Sequence, residues 1–343
     1  MSTIKKKRVL QQLKADLIGK DSYRGVTLTY SWMANQMGHL SLGFVPTFIL
    51  FSNIKGKAGY ENPIVSALFV SGFWLLFELY NFLWPLLKRR FSSSKKEYVF
   101  KPKWANIAYD TFTDLCFFWL GAFSFSLFIE FSNVTLGIVI GLLLTLIFPI
   151  KYWFMTKMYQ MYAHYPFQFR LSQWNYNITD LDKEKVSYFM KTKTKGNHLL
   201  IFGSQKSGKT SLGVAIANEL SIQLQSCMYT SGIKLYPLFF DTQDEINETY
   251  QIWSWKNANY LVIDDVNPGE PIPNILVKPT TLLEFIDTFS KVNEKNRKLI
   301  REKNIIWILG NKTSEVIANR NTWTLMMKEI GIDTKNVGII NLS

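Results

Sequence analysis

Eight consecutive residues carry the most chemistry in this chain: Gly203, Ser204, Gln205, Lys206, Ser207, Gly208, Lys209 and Thr210. Glycines at the first and sixth positions let the backbone curl so that successive N–H groups converge on an anion. Lys209 would then hold the β- and γ-phosphates of a nucleotide, and the Thr210 hydroxyl would ligate Mg²⁺. Farther along, the apolar run from Tyr260 to Ile263 leads into two carboxylates, Asp264 and Asp265. Asp264 would face Mg²⁺ through water, and Asp265 would polarise the attacking water. A second apolar run, Ile305 to Leu309, ends in Gly310 and Asn311, whose amide can orient the same water. Together these residues could bind ATP with Mg²⁺ and hydrolyse its γ-phosphate.

Such residues need a scaffold that brings strand ends together. Short apolar or β-branched runs at 198–203, 228–232, 260–265, 305–311 and 337–342 alternate with helical patterns, one of them at 211–223. Alternation of this kind predicts a five-stranded parallel sheet with helices on both faces. Ligands bind at the carboxyl ends of such strands, where both the glycine-rich loop and the Asp pair fall. The polar stretch 158–197 reads as a linker ahead of an α/β domain at 198–343. Residues 267–279 hold four prolines around Ile275, Leu276 and Val277. So many prolines exclude helix and central strand, and the segment reads as a contact surface for a protein partner.

The first half of the chain has a different solvent. Hydrophobic residues make up 48% of the chain but charged ones only 19%, with 26 Phe, 16 Tyr and 11 Trp, a balance that suits partial immersion in lipid. Apolar stretches at about 31–51, 64–87, 108–131 and 135–157 each have the length that crosses a bilayer. Residues 1–197 carry 24 Lys and Arg against 11 Asp and Glu, whereas 198–343 carry 15 against 15. Four spans put the basic segments 1–30, 88–107 and 151–197 on one face, as the positive-inside rule requires. The expectation is a multi-pass protein of the cytoplasmic membrane with both termini cytoplasmic. Lipid is then one partner, and nucleic acid stays an alternative that the charge distribution disfavours. Asp114 and Glu78 lie deepest in the spans and read as polar clamps between helices. Cys116 and Cys227 form no CxxC pair, which argues against redox chemistry and zinc fingers.

The loop at 203–210, the strand ending in Asp264 and Asp265, and the strand ending in Asn311 occur in an order and at spacings that resemble the AAA+ superfamily, nearest to replication-initiator and helicase-loader ATPases. The resemblance covers roughly 190–343. It implies a P-loop NTPase domain with Asn311 as first sensor, and Arg320 as the arginine that reaches a neighbouring subunit's nucleotide. A homo-oligomer with shared sites follows. The sequence stops at Ser343, just after the last strand, so the family's helical lid is not expected. The function implied is a membrane-anchored ATPase acting as a switch or assembly device. Two alternatives are a membrane-tethered DNA-handling ATPase and a nucleotide-gated scaffold or pore with little turnover.

Overall fold

The computed structural model of the protein describes residues 3–18, 25–55, 62–91, 98–192, 194–234, 252–266, 280, 283, 290–310 and 316–342, with side chains left aside at 85–91, 290–293 and 316–319. The chain divides into two compact units. One holds residues 9–97 and 103–157, and the other holds 1–8, 98–102 and 158–343.

The first unit contains most of helix α1 (Lys6–Ile18) and of four long apolar helices, α2 (Leu28–Ile54), α3 (Pro63–Phe91), α4 (Trp104–Ile129) and α5 (Asn133–Met161). Each of the four is long and apolar enough to cross a membrane. Thr27 caps α2, its hydroxyl accepting the Tyr30 N–H at 3.1 Å. Two glycines bring α2 and α4 into backbone contact: a Cβ on Gly43 would lie 1.9 Å from the Phe118 carbonyl oxygen, and one on Gly121 equally close to that of Leu40. Close approach at small residues is how apolar helices associate where no water drives them together. Pro46 cannot donate to the carbonyl of Leu42, one turn back. That orphaned carbonyl accepts the Trp74 indole N–H of α3 at 2.9 Å instead. Asp114 of α4 lies 3.5 Å from His39 Nε2 of α2.

The second unit is an α/β layer structure. Its strands are β1 (His198–Gly203), β2 (Cys227–Ser231), β3 (Tyr260–Asp264), β4 (Asn304–Gly310) and β5 (Val337–Leu342), and every pairing between them is parallel. The sheet order is β2-β3-β4-β1-β5, so β4 is central and separates β1 from β3. The helices are α6 (Asp180–Lys191), α7 (Lys209–Ile222), α8 (Ser290–Glu302) and α9 (Val316–Ile330). Leu199, Ile201, Ile306, Ile308 and Val262 of the sheet pack with Leu212, Ala215 and Ile216 of α7.

Residues 158–197, expected from the sequence as a linker, fall within this unit. Val186 and Phe189 of α6 are buried in the sheet's core, as is Trp174. Ahead of them the chain straps α7 with polar contacts. Gln160 donates to Asn218 Oδ1 at 2.8 Å, Asn218 donates to the Phe169 carbonyl at 2.9 Å, Tyr165 shares a 2.8 Å hydrogen bond with Ser221, and Arg170 Nε meets Glu219 Oε1 at 2.7 Å. Asn218, Glu219 and Ser221 are almost wholly buried. Each would cost stability if left unpaired, so the strap is what permits them there.

At the start of β1, His198 is buried, and its Nδ1 accepts the Trp307 indole N–H at 3.1 Å. Burial pushes its pKa down to about 3 from an ordinary value of 6.5. The unfolded chain therefore binds a proton that the folded one refuses between those two values, and stability contributed above pH 6.5 is lost as the pH falls toward 3. The expected loss is about 1.4 kcal/mol for each pH unit inside that window. Thermal unfolding of the full chain followed from pH 7 to pH 4 tests this. His198→Gln, which can still accept from Trp307 but takes no proton, should flatten the acid limb.

Candidate functional site

Gly203 ends β1, the next five residues form a loop, and Lys209 and Thr210 open α7. Two residues in this loop adopt left-handed backbone, Lys206 at φ 65° and Gly208 at φ 84°. Such kinks turn successive N–H groups into one concavity. The first helical bond of α7 runs from the Leu212 N–H to the Gly208 carbonyl at 2.9 Å, so the N–H groups of Lys209, Thr210 and Ser211 have no partner within the helix. They add the positive end of the helix to the same spot.

Both glycines are needed where they stand. A Cβ on Gly203 would sit 2.2 Å from Ser207 Oγ, and one on Gly208 would sit 2.6–2.8 Å from ring atoms of Tyr176, on top of the strain of a positive φ. Trp174, buried beneath Tyr176, fixes the loop by donating its indole N–H to the Gly208 carbonyl at 3.0 Å. Ser207 Oγ is buried and lacks a hydrogen-bond partner among the described residues. A buried hydroxyl that lacks a partner, in the loop ahead of the α7 amino end, is a group that an anion such as phosphate could satisfy. Thr210 follows Lys209 in the first turn of α7.

Lys209 is 9% exposed, and its ammonium donates to the Ser204 carbonyl at 3.0 Å. Burial lowers its pKa, while Asp264 and Asp265 pull it back up. Asp264 is buried and accepts two hydrogen bonds, one at each oxygen: the Asp265 N–H at 2.8 Å on Oδ1 and the Tyr229 hydroxyl at 2.8 Å on Oδ2. Burial first, and Asp264 second, push the Tyr229 phenol far above its ordinary range, so it stays a donor. Asp265 is exposed with a left-handed backbone at φ 51°, uncommon outside glycine. Its carboxyl pKa is raised by partial burial and by Asp264, and Lys209 opposes the shift.

The structure thus brings Lys209, Asp264 and Asp265 into mutual electrostatic reach at the carboxyl edge of the sheet. Gly310 lies level with Gly203 in the β1 and β4 pairing, so β4 ends between the loop and the Asp pair. Asn311 and the 267–279 segment lie outside the described residues. Arg320 is exposed on α9. Sequence reasoning missed Tyr229, whose only signal was its place in a strand neighbouring the acidic one, and it missed Trp174 and Tyr176, which look like ordinary loop aromatics. Phenylalanine at position 229 would leave Asp264 Oδ2 buried without a donor. Tyr229→Phe is expected to cost about 1–3 kcal/mol, read as a lowered thermal midpoint. The sequence matches no model of a known protein family and no curated protein.

Proposed function

We propose that this protein is a membrane-anchored ATPase whose α/β unit binds Mg²⁺·ATP at the 203–210 loop and hydrolyses it, working as an oligomeric switch or assembly device. The observation that carries this reading is a buried lysine at the mouth of an N–H-lined loop, in electrostatic contact with two carboxylates that end a parallel strand. On this reading Lys209 leaves the Ser204 carbonyl for the phosphates, the loop N–H groups and Ser207 hold their oxygens, and Thr210 and Asp264 hold the metal, which supplies charge neutralisation when bound. Asp265, the more exposed carboxylate, takes a proton from water at the edge of the site. Four apolar helices per chain support membrane anchorage, and they would hold the α/β units at high local concentration.

Lys209→Ala should abolish ATP binding, whereas Asp265→Asn should bind ATP and fail to turn it over, because only the second keeps the phosphate cradle. Equilibrium binding of radiolabelled ATP beside phosphate release measures both. Wild-type turnover by Asp265→Asn would remove that residue as base. Exposure of Arg320 supports its use by a neighbouring subunit, with the guanidinium meeting charge that develops on the γ-phosphate. Full-length Arg320→Ala and Asp265→Asn are each expected to be inactive, and their co-assembled mixture should regain part of the activity. A mixture as dead as its parts, with co-assembly verified, excludes a shared site.

A further inference from the structure

Helix α1 is turned inside out relative to a helix of a water-soluble domain, which buries its apolar stripe and shows water its polar one. Its buried residues are Gln12 and Asp16, one turn apart. Leu10, Leu17 and Ile18 stand 65%, 69% and 62% exposed, and Val26, just ahead of α2, is 72% exposed. Leu10, Leu13 and Leu17 follow one another at three and four residues, so they form one stripe, with Leu13 half-buried at its middle. Lys7 and Lys14, both exposed and two turns apart, line one edge of that stripe.

The polar face is held by the start of α2. Asp16 Oδ1 accepts from Gln12 Nε2 at 2.8 Å and from the Thr27 hydroxyl at 3.0 Å, and Gln12 Nε2 also donates to Thr29 Oγ1 at 3.2 Å. Thr29 is wholly buried, and Thr27 is the residue that caps α2. These bonds fix α1 at the amino end of a helix long and apolar enough to cross a membrane. Where such a helix spans, its end marks the headgroup level, and the leucine stripe lies only about a helix width, roughly 10 Å, to the side. Water is the wrong solvent for large aliphatic side chains grouped on one face. Acyl chains suit the leucines, and phosphate oxygens suit the ammonium groups along their edge.

We infer that α1 is an interfacial helix that binds anionic lipid: Leu10, Leu17 and Ile18 sit among acyl chains at the headgroup level, Lys7 and Lys14 meet anionic headgroups, and Gln12 and Asp16 lock the helix to α2. The inference rests on the reading of the long apolar helices as membrane spans, and it goes beyond anchorage by assigning a lipid class to a segment outside them. A second copy of the chain is a poorer occupant of the stripe. Two stripes packed face to face would bring the Lys7 and Lys14 edges of both copies together, and like charges at that spacing repel.

The test uses the full-length protein reconstituted in phosphatidylcholine vesicles, with the fluorophore bimane on a single introduced cysteine; Cys116 and Cys227 are buried and stay unlabelled. Quenching is read with lipids that carry a doxyl group near the headgroup, either phosphatidylcholine or phosphatidylglycerol at equal content. Bimane on Leu17→Cys should be quenched by both, and about twofold or more strongly by the phosphatidylglycerol form. Adding Lys7→Gln and Lys14→Gln should equalise the two lipids at position 17 and leave the quenching itself in place. Bimane on Phe73→Cys, 60% exposed in the middle of α3, should be quenched by phosphatidylcholine doxylated deep in its chain, which reports on the spans separately. Quenching at position 73 without quenching at position 17 overturns the inference and leaves the spans standing, whereas quenching at neither removes the spans and the inference with them. Equal quenching by the two lipids while Lys7 and Lys14 are present overturns the assignment to anionic headgroups.

Discussion

Taking the ammonium of Lys209 out of water is the constraint from which the rest of the α/β unit follows. A buried cation is tolerated only with charge and hydrogen-bonding oxygens around it. Here the Ser204 carbonyl and two carboxylates serve. Asp264, buried itself, then needs donors at both oxygens, and it receives them from the Asp265 N–H and the Tyr229 hydroxyl. The first donor requires the chain to turn sharply after β3, which is why Asp265 has a left-handed backbone. The second requires β2 to stay beside β3, and the Tyr229 N–H is in turn bonded to the Ala163 carbonyl at 2.8 Å. A demand that starts at one side chain therefore reaches the segment directly after the last long apolar helix.

The strands were legible because a strand buried on both faces needs an uninterrupted apolar run, and helices cannot be built from such short ones. The 198–203 and 337–342 runs coincide with β1 and β5, the 260–265 run is one residue longer than β3, and the 228–232 and 305–311 runs are each shifted by one residue from β2 and β4. The strap at 158–174 was illegible for the opposite reason. Gln160, Arg170, Asn218, Glu219 and Ser221 have the composition of a solvated surface, yet Gln160 pairs with Asn218, Arg170 with Glu219 and Ser221 with Tyr165. Pairing of that kind has no periodicity, so polar side chains count as exposed in any reading of pattern alone. Tyr229 escaped notice for a related reason, since what matters is its hydroxyl's neighbour across the sheet.

In the helical unit, pattern and structure agree on the spans but differ in detail that only packing reveals. Pro46 lies within α2, and the carbonyl it leaves without a helical donor is taken up by Trp74. Gly43 and Gly121 carry no signal in isolation, being far apart in the chain, and become meaningful only as the pair at which two backbones touch.

Equal numbers of acids and bases in 198–343 suggest a surface with no electrostatic character, and that inference from counting fails for a geometric reason. A parallel sheet covered by helices has two unequal edges, one gathering helix amino ends and strand carboxyl ends, the other the reverse. Asp264 and Asp265 fall on the first edge, beside a loop built from N–H groups. Lys256 and Lys303 fall on the second, joined there by Lys5, Lys191 and Lys195 from segments counted with the basic half of the chain. Charge that cancels in the total is thus separated along the strands. The same topology that gathers helix amino ends and carboxylates at one edge gathers lysine side chains at the other.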